Sequence, residues 1–207
     1  MMSRVNHKNL VKFIGACKDP MVITTKLLLG MSLWKYMANI RPKQLDLVVA
    51  IRLAVDIACT IEYLHANGII HRELYANNLF LTENQESIKL ANFGLAREET
   101  ITELMTAETG TYCWMAPELY NTVALQRGQK IHYNNKVDVY SFGFVIWELL
   151  TNRMLFEGMS SLQAAYAALR CANHLQIFLY DVDLAFNCKI TQVCSANHLS
   201  THEHTRI

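Results

Sequence analysis

Apolar positions along the chain follow three patterns. Leu47, Ile51, Ala54, Val55, Ala58, Ile61 and Leu64 recur at helical spacing, which predicts a helix over Leu47–His65 with Gly68 placed to end it. Val137–Leu150 is apolar on most faces, the pattern of a deeply buried helix. Val22–Leu29 is a continuous apolar run with β-branched members, closed by Gly30, and predicts a buried strand. Leu10–Gly15 is a shorter strand candidate. Leu79–Leu81 and Ile88–Leu90 predict two short strands joined through the polar turn Glu83-Asn84-Gln85-Glu86. Ser160 followed by Gln163 has the form of a capping box, opening a third helix over Leu162–Arg170. Beyond Arg170 no period is sustained.

Composition narrows the class. The chain has 207 residues, enough for one ordinary domain or slightly more. With 52% apolar and 18% charged residues it can bury a sizeable core. A net charge of +1 provides no basic stripe, so nucleic acid is not an expected partner. No apolar run approaches the ~18 residues of a membrane span, so no membrane partner is expected. The opening Met1-Met2-Ser3-Arg4 leads into polar residues rather than a secretion leader. Six cysteines without a C-x-x-C pair suggest a reduced compartment, and the expected location is cytoplasmic. The tail's Cys171, Cys188, Cys194, His174, His198, His202 and His204 lack the tight ligand pairs of zinc sites.

The candidate chemistry lies in residues 71–94. His71-Arg72-Glu73-Leu74-Tyr75-Ala76-Asn77-Asn78 and the later Asn92-Phe93-Gly94 resemble the protein-kinase motifs H-R-D-L-K-x-x-N and D-F-G. Gly110-Thr111-Tyr112-Cys113-Trp114-Met115-Ala116-Pro117-Glu118 resembles the end of a kinase activation segment. The run Lys136–Gly143, with Trp147–Thr151 after it, is similar to the central helix of the kinase large lobe. Asn6–Gly15 resembles the step into the small lobe's fourth strand. The wording is most similar to plant Raf-like serine/threonine kinases.

The resemblance implies an α+β, protein-kinase-like fold over residues 1–170. Residues 1–30 would be a small-lobe remnant and hinge, and 31–170 the helical large lobe. Residues 171–207 would be an unrelated, poorly ordered tail. The glycine-rich loop, the V-A-I-K lysine and its glutamate partner are expected to precede residue 1. The implied function is ATP-dependent phosphorylation of protein serine or threonine in signal transduction. ATP and Mg²⁺ are the implied cofactors, and a protein substrate or another kinase the implied partner. Catalytic positions map to Glu73, Tyr75 and Asn78, metal positions to Asn78 and Asn92, and nucleotide contacts to Thr25, Lys26, Leu27, Leu28 and Phe80.

At these positions the charges differ from the family pattern. Glu73 keeps a carboxylate but adds a methylene to the expected aspartate. Tyr75 replaces a lysine and carries no positive charge near neutrality. Asn92 replaces the metal-binding aspartate, so the implied metal site holds two amides and no carboxylate, a weak set for a hard cation. Phosphoryl transfer is therefore expected to be absent or very weak. The alternatives are a noncatalytic pseudokinase binding module or the product of a decayed gene. Met2, Phe13, His71 and Phe93 align with a stacked apolar spine, and Asp138 with the residue that anchors the catalytic loop. Arg72 aligns with the partner of a phosphorylated residue, for which Thr102, Thr106, Thr109 and Thr111 are candidates. Glu118 aligns with a glutamate whose arginine partner the family places further along.

Overall fold

The computed structural model describes residues 2–20, 22–98, 116, 134–160, 163, 164 and 167. By internal contacts the chain divides after Tyr166, and all the strands and helices named below lie in the first unit. A 3₁₀ turn at Met2–Arg4 leads to β1 (Phe13–Cys17) and β2 (Val22–Thr25), an antiparallel ribbon. Next come α1 (Leu33–Ile40), α2 (Leu47–Ala66) and β3 (Ile69–Ile70), then β4 (Leu79–Leu81), β5 (Ile88–Leu90) and β6 (Arg97–Glu98). The last described long element is α3 (Lys136–Thr151). Strands β3 and β6 pair antiparallel, as do β4 and β5.

The central helix α2 forms where the period placed it, one residue longer. Asp46 caps its start by accepting from the amides of Val48 and Val49. Its end passes through Asn67 to Gly68, whose φ of +66° suits a residue without Cβ. Leu53, Ile57 and Leu64 are fully buried along it. Helix α3 packs against α2 and buries Phe144, Val145 and Leu149. Asn152 ends α3 in the left-handed region at φ 50°, and its amide Nδ2 donates to the Lys43 carbonyl.

Strands β4 and β5 match the predicted bounds and pair Leu79 with Leu90 and Leu81 with Ile88. The two predictions nearest the start need correction. The strand expected over Leu10–Gly15 begins at Phe13, because Leu10 and Val11 pair instead with Leu90. The buried strand expected over Val22–Leu29 is four residues long and mostly exposed. Ile23 is 58% exposed, Leu27 77% and Leu29 70%. An apolar run encodes strand propensity but not the layer that would cover it. Gly30 does more than end the run: a Cβ there would fall 1.8 Å from the Leu81 carbonyl oxygen, so the backbones touch.

Helix α1 has no counterpart among the predicted elements. Ser32 caps it by accepting from the Lys35 amide, and Leu33 and Met37 fill the core. The capping box at Ser160 is present in both halves. The Ser160 amide donates to Gln163 Oε1 at 2.9 Å, and the Gln163 amide donates to Ser160 Oγ at 3.3 Å. Most of the helix predicted at 162–170 lies outside the described residues, as do the activation-segment threonines, Glu118 and the tail.

Candidate active site

The loop between β3 and β4 is held from below by one buried carboxylate. Asp138, on the first turn of α3, is fully buried. Its Oδ2 accepts from the His71 amide at 2.8 Å, and its Oδ1 from the Arg72 amide at 2.7 Å. His65 Nε2, on the last turn of α2, lies 2.9 Å from the same Oδ2. The two backbone bonds hold Arg72 at φ 71°, a conformation that costs a non-glycine residue about 1–3 kcal/mol unless its surroundings impose it. The role expected of Asp138 is thus visible atom by atom. His65 escaped sequence reasoning; its place on the final turn of a strongly periodic helix was the available signal.

His71 is a structural residue. Its Nε2–H donates to the Ala91 carbonyl at 3.1 Å, and its Nδ1 accepts from the Glu73 amide at 3.3 Å. One nitrogen donates and the other accepts, which describes the neutral ring. Burial pushes its pKa below the usual histidine value, against the opposing pull of the Asp138 carboxylate. Phe93 packs edge-on to it with centroids 5.0 Å apart. Of the remaining spine candidates, Met2 and Phe13 are half-buried.

Above this frame the candidate catalytic and metal residues meet. The 3₁₀ turn Ala76–Asn78 turns Asn78 inward. Asn78 Nδ2 donates to the Glu73 carbonyl at 2.8 Å, and the Asn78 carbonyl accepts from the Ala91 amide at 2.9 Å. Asn92, at φ 61°, donates through Nδ2 to Asn78 Oδ1 at 3.3 Å. Asn92 Oδ1 in turn accepts from the Gly94 amide at 3.4 Å. The Tyr75 hydroxyl also bonds to the Asn78 side chain. Glu73 Oε2 approaches Gly94 from the other side, 4.0 Å from where a Cβ would stand.

Electrostatics follow from this packing. Partial burial raises the Glu73 pKa above the usual glutamate range, with the Arg72 guanidinium opposing. Tyr75 is raised first by burial and then by the Glu73 charge, while its bond to Asn78 pulls the other way. The phenol therefore stays neutral at physiological pH. The two amides that would stand at the metal positions are turned toward each other, with both oxygens already accepting hydrogen bonds. This donor set does not fit a magnesium ion, which takes oxygen ligands rich in negative charge.

The candidate nucleotide residues are more dispersed. Lys26, Leu27 and Leu28 line a cleft of about 540 Å³, whose walls do not include Thr25 or Phe80. Phe80 sits half-buried on β4, opposite Lys89 and bridged to Ser32. The Lys26 amide donates to the Lys12 carbonyl at 2.8 Å, tying the segment to β1's approach.

The sequence that builds this loop and its supporting helices is similar to that of known proteins. The family described as protein tyrosine and serine/threonine kinase matches residues 1–178. The chain belongs to the protein kinase family. Among curated relatives, the serine/threonine-protein kinase STY46 of Arabidopsis thaliana is 44% identical over 167 residues, covering 80% of this chain and 27% of that protein. The serine/threonine/tyrosine-protein kinase HT1 of the same plant is 42% identical over 169 residues, covering 81% and 41%. The dual specificity protein kinase pyk3 of Dictyostelium discoideum is 37% identical over 164 residues, covering 79% and 11%. The chain thus spans less than half the length of these relatives. Its α+β fold is that of a kinase domain resembling the plant Raf-like group. Among the described residues, no helix is long and apolar enough to cross a membrane, and no cluster of three or more His, Cys, Asp or Glu side chains could hold a metal.

Proposed function

We propose that this chain supplies the large-lobe framework of a serine/threonine kinase domain, and that its own phosphoryl transfer is very weak or absent. The observation that carries the reading is the Asn78–Asn92 amide pair, closed at 3.3 Å where the family places magnesium ligands. Kinase chemistry is positioning plus neutralisation of phosphate charge. The frame that positions the loop is intact, from Asp138 through His71 to Phe93. The groups that would neutralise charge are amides and a phenol. A framework kept without its charges suits a noncatalytic role, offering the large-lobe surface to a protein substrate or another kinase in a cytoplasmic signalling assembly.

One residue favours a second reading of residual activity. Glu73 retains a carboxylate, and its raised pKa makes it a better proton acceptor for a substrate hydroxyl. Its extra methylene shifts the acceptor by an amount for which a ~1 Å misplacement costs roughly 10²-fold. Calorimetric titration with ATP and Mg²⁺, at protein concentrations of tens of micromolar, separates the readings, since roughly micromolar affinity is visible there. The expected result is no saturable isotherm and no phosphate transfer to a generic protein substrate. A saturable isotherm with transfer abolished by Glu73→Ala would overturn the noncatalytic reading.

A further inference from the structure

The 540 Å³ cleft lies apart from Glu73, Asn78 and Asn92, and its composition is unusual for a chain of net charge +1. Four lysines line it: Lys8, Lys12, Lys26 and Lys89. The opposing charge on its walls is Glu83. His7, also at the wall, is pushed below the usual histidine pKa by its burial and by Lys8, so it adds no charge at neutral pH. Between the lysines the floor is apolar. Leu10, Val11 and Leu81 are buried beneath it, while Leu27 and Leu29 stand 77% and 70% exposed at its side. An exposed apolar strip rimmed by like charges is the signature of a binding surface rather than of a solvated face.

The lysines reach the cleft from different elements. Lys89 reaches the Lys8 carbonyl, while Lys12 and Lys26 are joined through their backbones at 2.8 Å. The four lysines therefore spring from two neighbouring stretches of backbone, at positions 8 and 12, which four residues of chain hold within about 14 Å of each other. A membrane needs a protruding apolar surface, whereas this floor is recessed. An extended peptide rises about 3.3 Å per residue and alternates its side chains. Carboxylates two to four residues apart would meet lysines from both stretches, with the intervening apolar side chains turned onto the leucines.

We propose that this cleft is a docking site for an acidic, leucine-bearing segment of a partner protein, bound in extended form. The proposal goes beyond the phosphoryl-transfer reading; the cleft shares Lys26, Leu27 and Leu28 with the candidate nucleotide residues, so it is tested without nucleotide.

The test is fluorescence anisotropy of the intact 207-residue chain with a fluorescein-tagged peptide Glu-Leu-Asp-Leu-Glu-Ser-Leu-Glu, without nucleotide. Saturable binding is expected, weakened at least tenfold by the exposed double variant Lys8→Glu/Lys12→Glu and several-fold by Leu29→Ser. Raising salt should weaken binding in the wild type. Circular dichroism of each variant verifies its fold. Binding unchanged in both variants overturns the site, as does the absence of saturable binding. Laurate or phosphatidylserine vesicles binding with the same lysine dependence, where the peptide does not, would assign the cleft to a lipid and also overturn the proposal. Because no nucleotide is present, either outcome leaves the kinase reading to its own experiment.

Discussion

The β1–β2 ribbon and the α2–α3 pair are both rich in apolar residues, yet they meet water differently. Along α2 and α3, Leu53, Leu64, Phe144 and Val145 are no more than 2% exposed. In the ribbon and the segment after it, Ile14 is 63% exposed, Ile23 58% and Leu27 77%. The helices cover each other and enclose the anchor of the 71–78 loop. The ribbon pairs its two strands with each other, which satisfies the inward-facing backbone hydrogen bonds but leaves most of its side chains exposed. Apolar content therefore stabilises the helical region and stays in contact with solvent along the ribbon. The functional frame, Asp138 with His71 and Arg72, sits on the covered side of this divide. The cleft with its lysines sits on the uncovered side.

The largest effect should come from the centre of the covered region. Phe144→Ala is expected to cost about 3–5 kcal/mol in urea unfolding, the range for a deleted buried aromatic side chain. Ile23→Ala in the ribbon should stay within about 0.5 kcal/mol. Comparable losses at both positions would erase the contrast.

Asp138→Ala tests the anchor. It strips a buried acceptor from the His71 and Arg72 amides and from His65. A loss of about 3 kcal/mol or more is expected, since hydrogen bonds to charged groups contribute roughly 1.5–3 kcal/mol each and do not add fully. A melt within a degree of wild type would show that the loop holds its shape unaided.

The two titrating residues of the loop should bend stability with pH in opposite directions. His71 has a depressed pKa in the folded state, so the unfolded chain binds more protons just below the usual histidine value. Stability should therefore fall as pH drops from 7 toward 5. His71→Gln, which keeps a donor and an acceptor, should flatten that fall. Glu73 has a raised pKa, so the folded chain holds its proton longer. Stability should decline as pH rises from the usual glutamate value through the raised one. Glu73→Gln should then raise the melting temperature slightly at pH 7, by a margin that shrinks as pH falls through the usual glutamate range and the wild-type carboxyl takes up its proton. A melting temperature lowered at pH 7 would instead mean that the charge is stabilised, by Arg72 above all. The Glu73 effect should be the smaller, because the side chain is partly solvated and water screens its charge.

The smallest expected change in stability belongs to the ribbon's exposed face. Ile14→Ser with Ile23→Thr should leave the unfolding midpoint within error while reducing concentration-dependent association in light scattering. Unchanged association would place the sticky surface elsewhere.

Much of the site could be read along the chain because its order is local. His71, Glu73, Tyr75 and Asn78 fall within one short loop, and the bounds of β4 and β5 follow from apolar triplets around a polar turn. The periods of α2 and α3 identified both helices, since a helix buries a stripe whose spacing the chain itself carries. What the chain could not specify was which partner each group would take. That Asn92 would give its amide to Asn78 depends on two loops 14 residues apart meeting face to face. That His65 would share the Asp138 carboxylate depends on α2 crossing α3. Helix α1 escaped because eight residues with a serine cap carry too few turns to establish a period. The apolar run from Val22 to Leu29 read as buried although it is exposed, because propensity describes the strand, whereas burial depends on a second layer. Residue identity determined the family, the frame and the altered charges. Only the tertiary fold decided which amides closed on each other, which carboxylate lost its water, and which apolar face was left open.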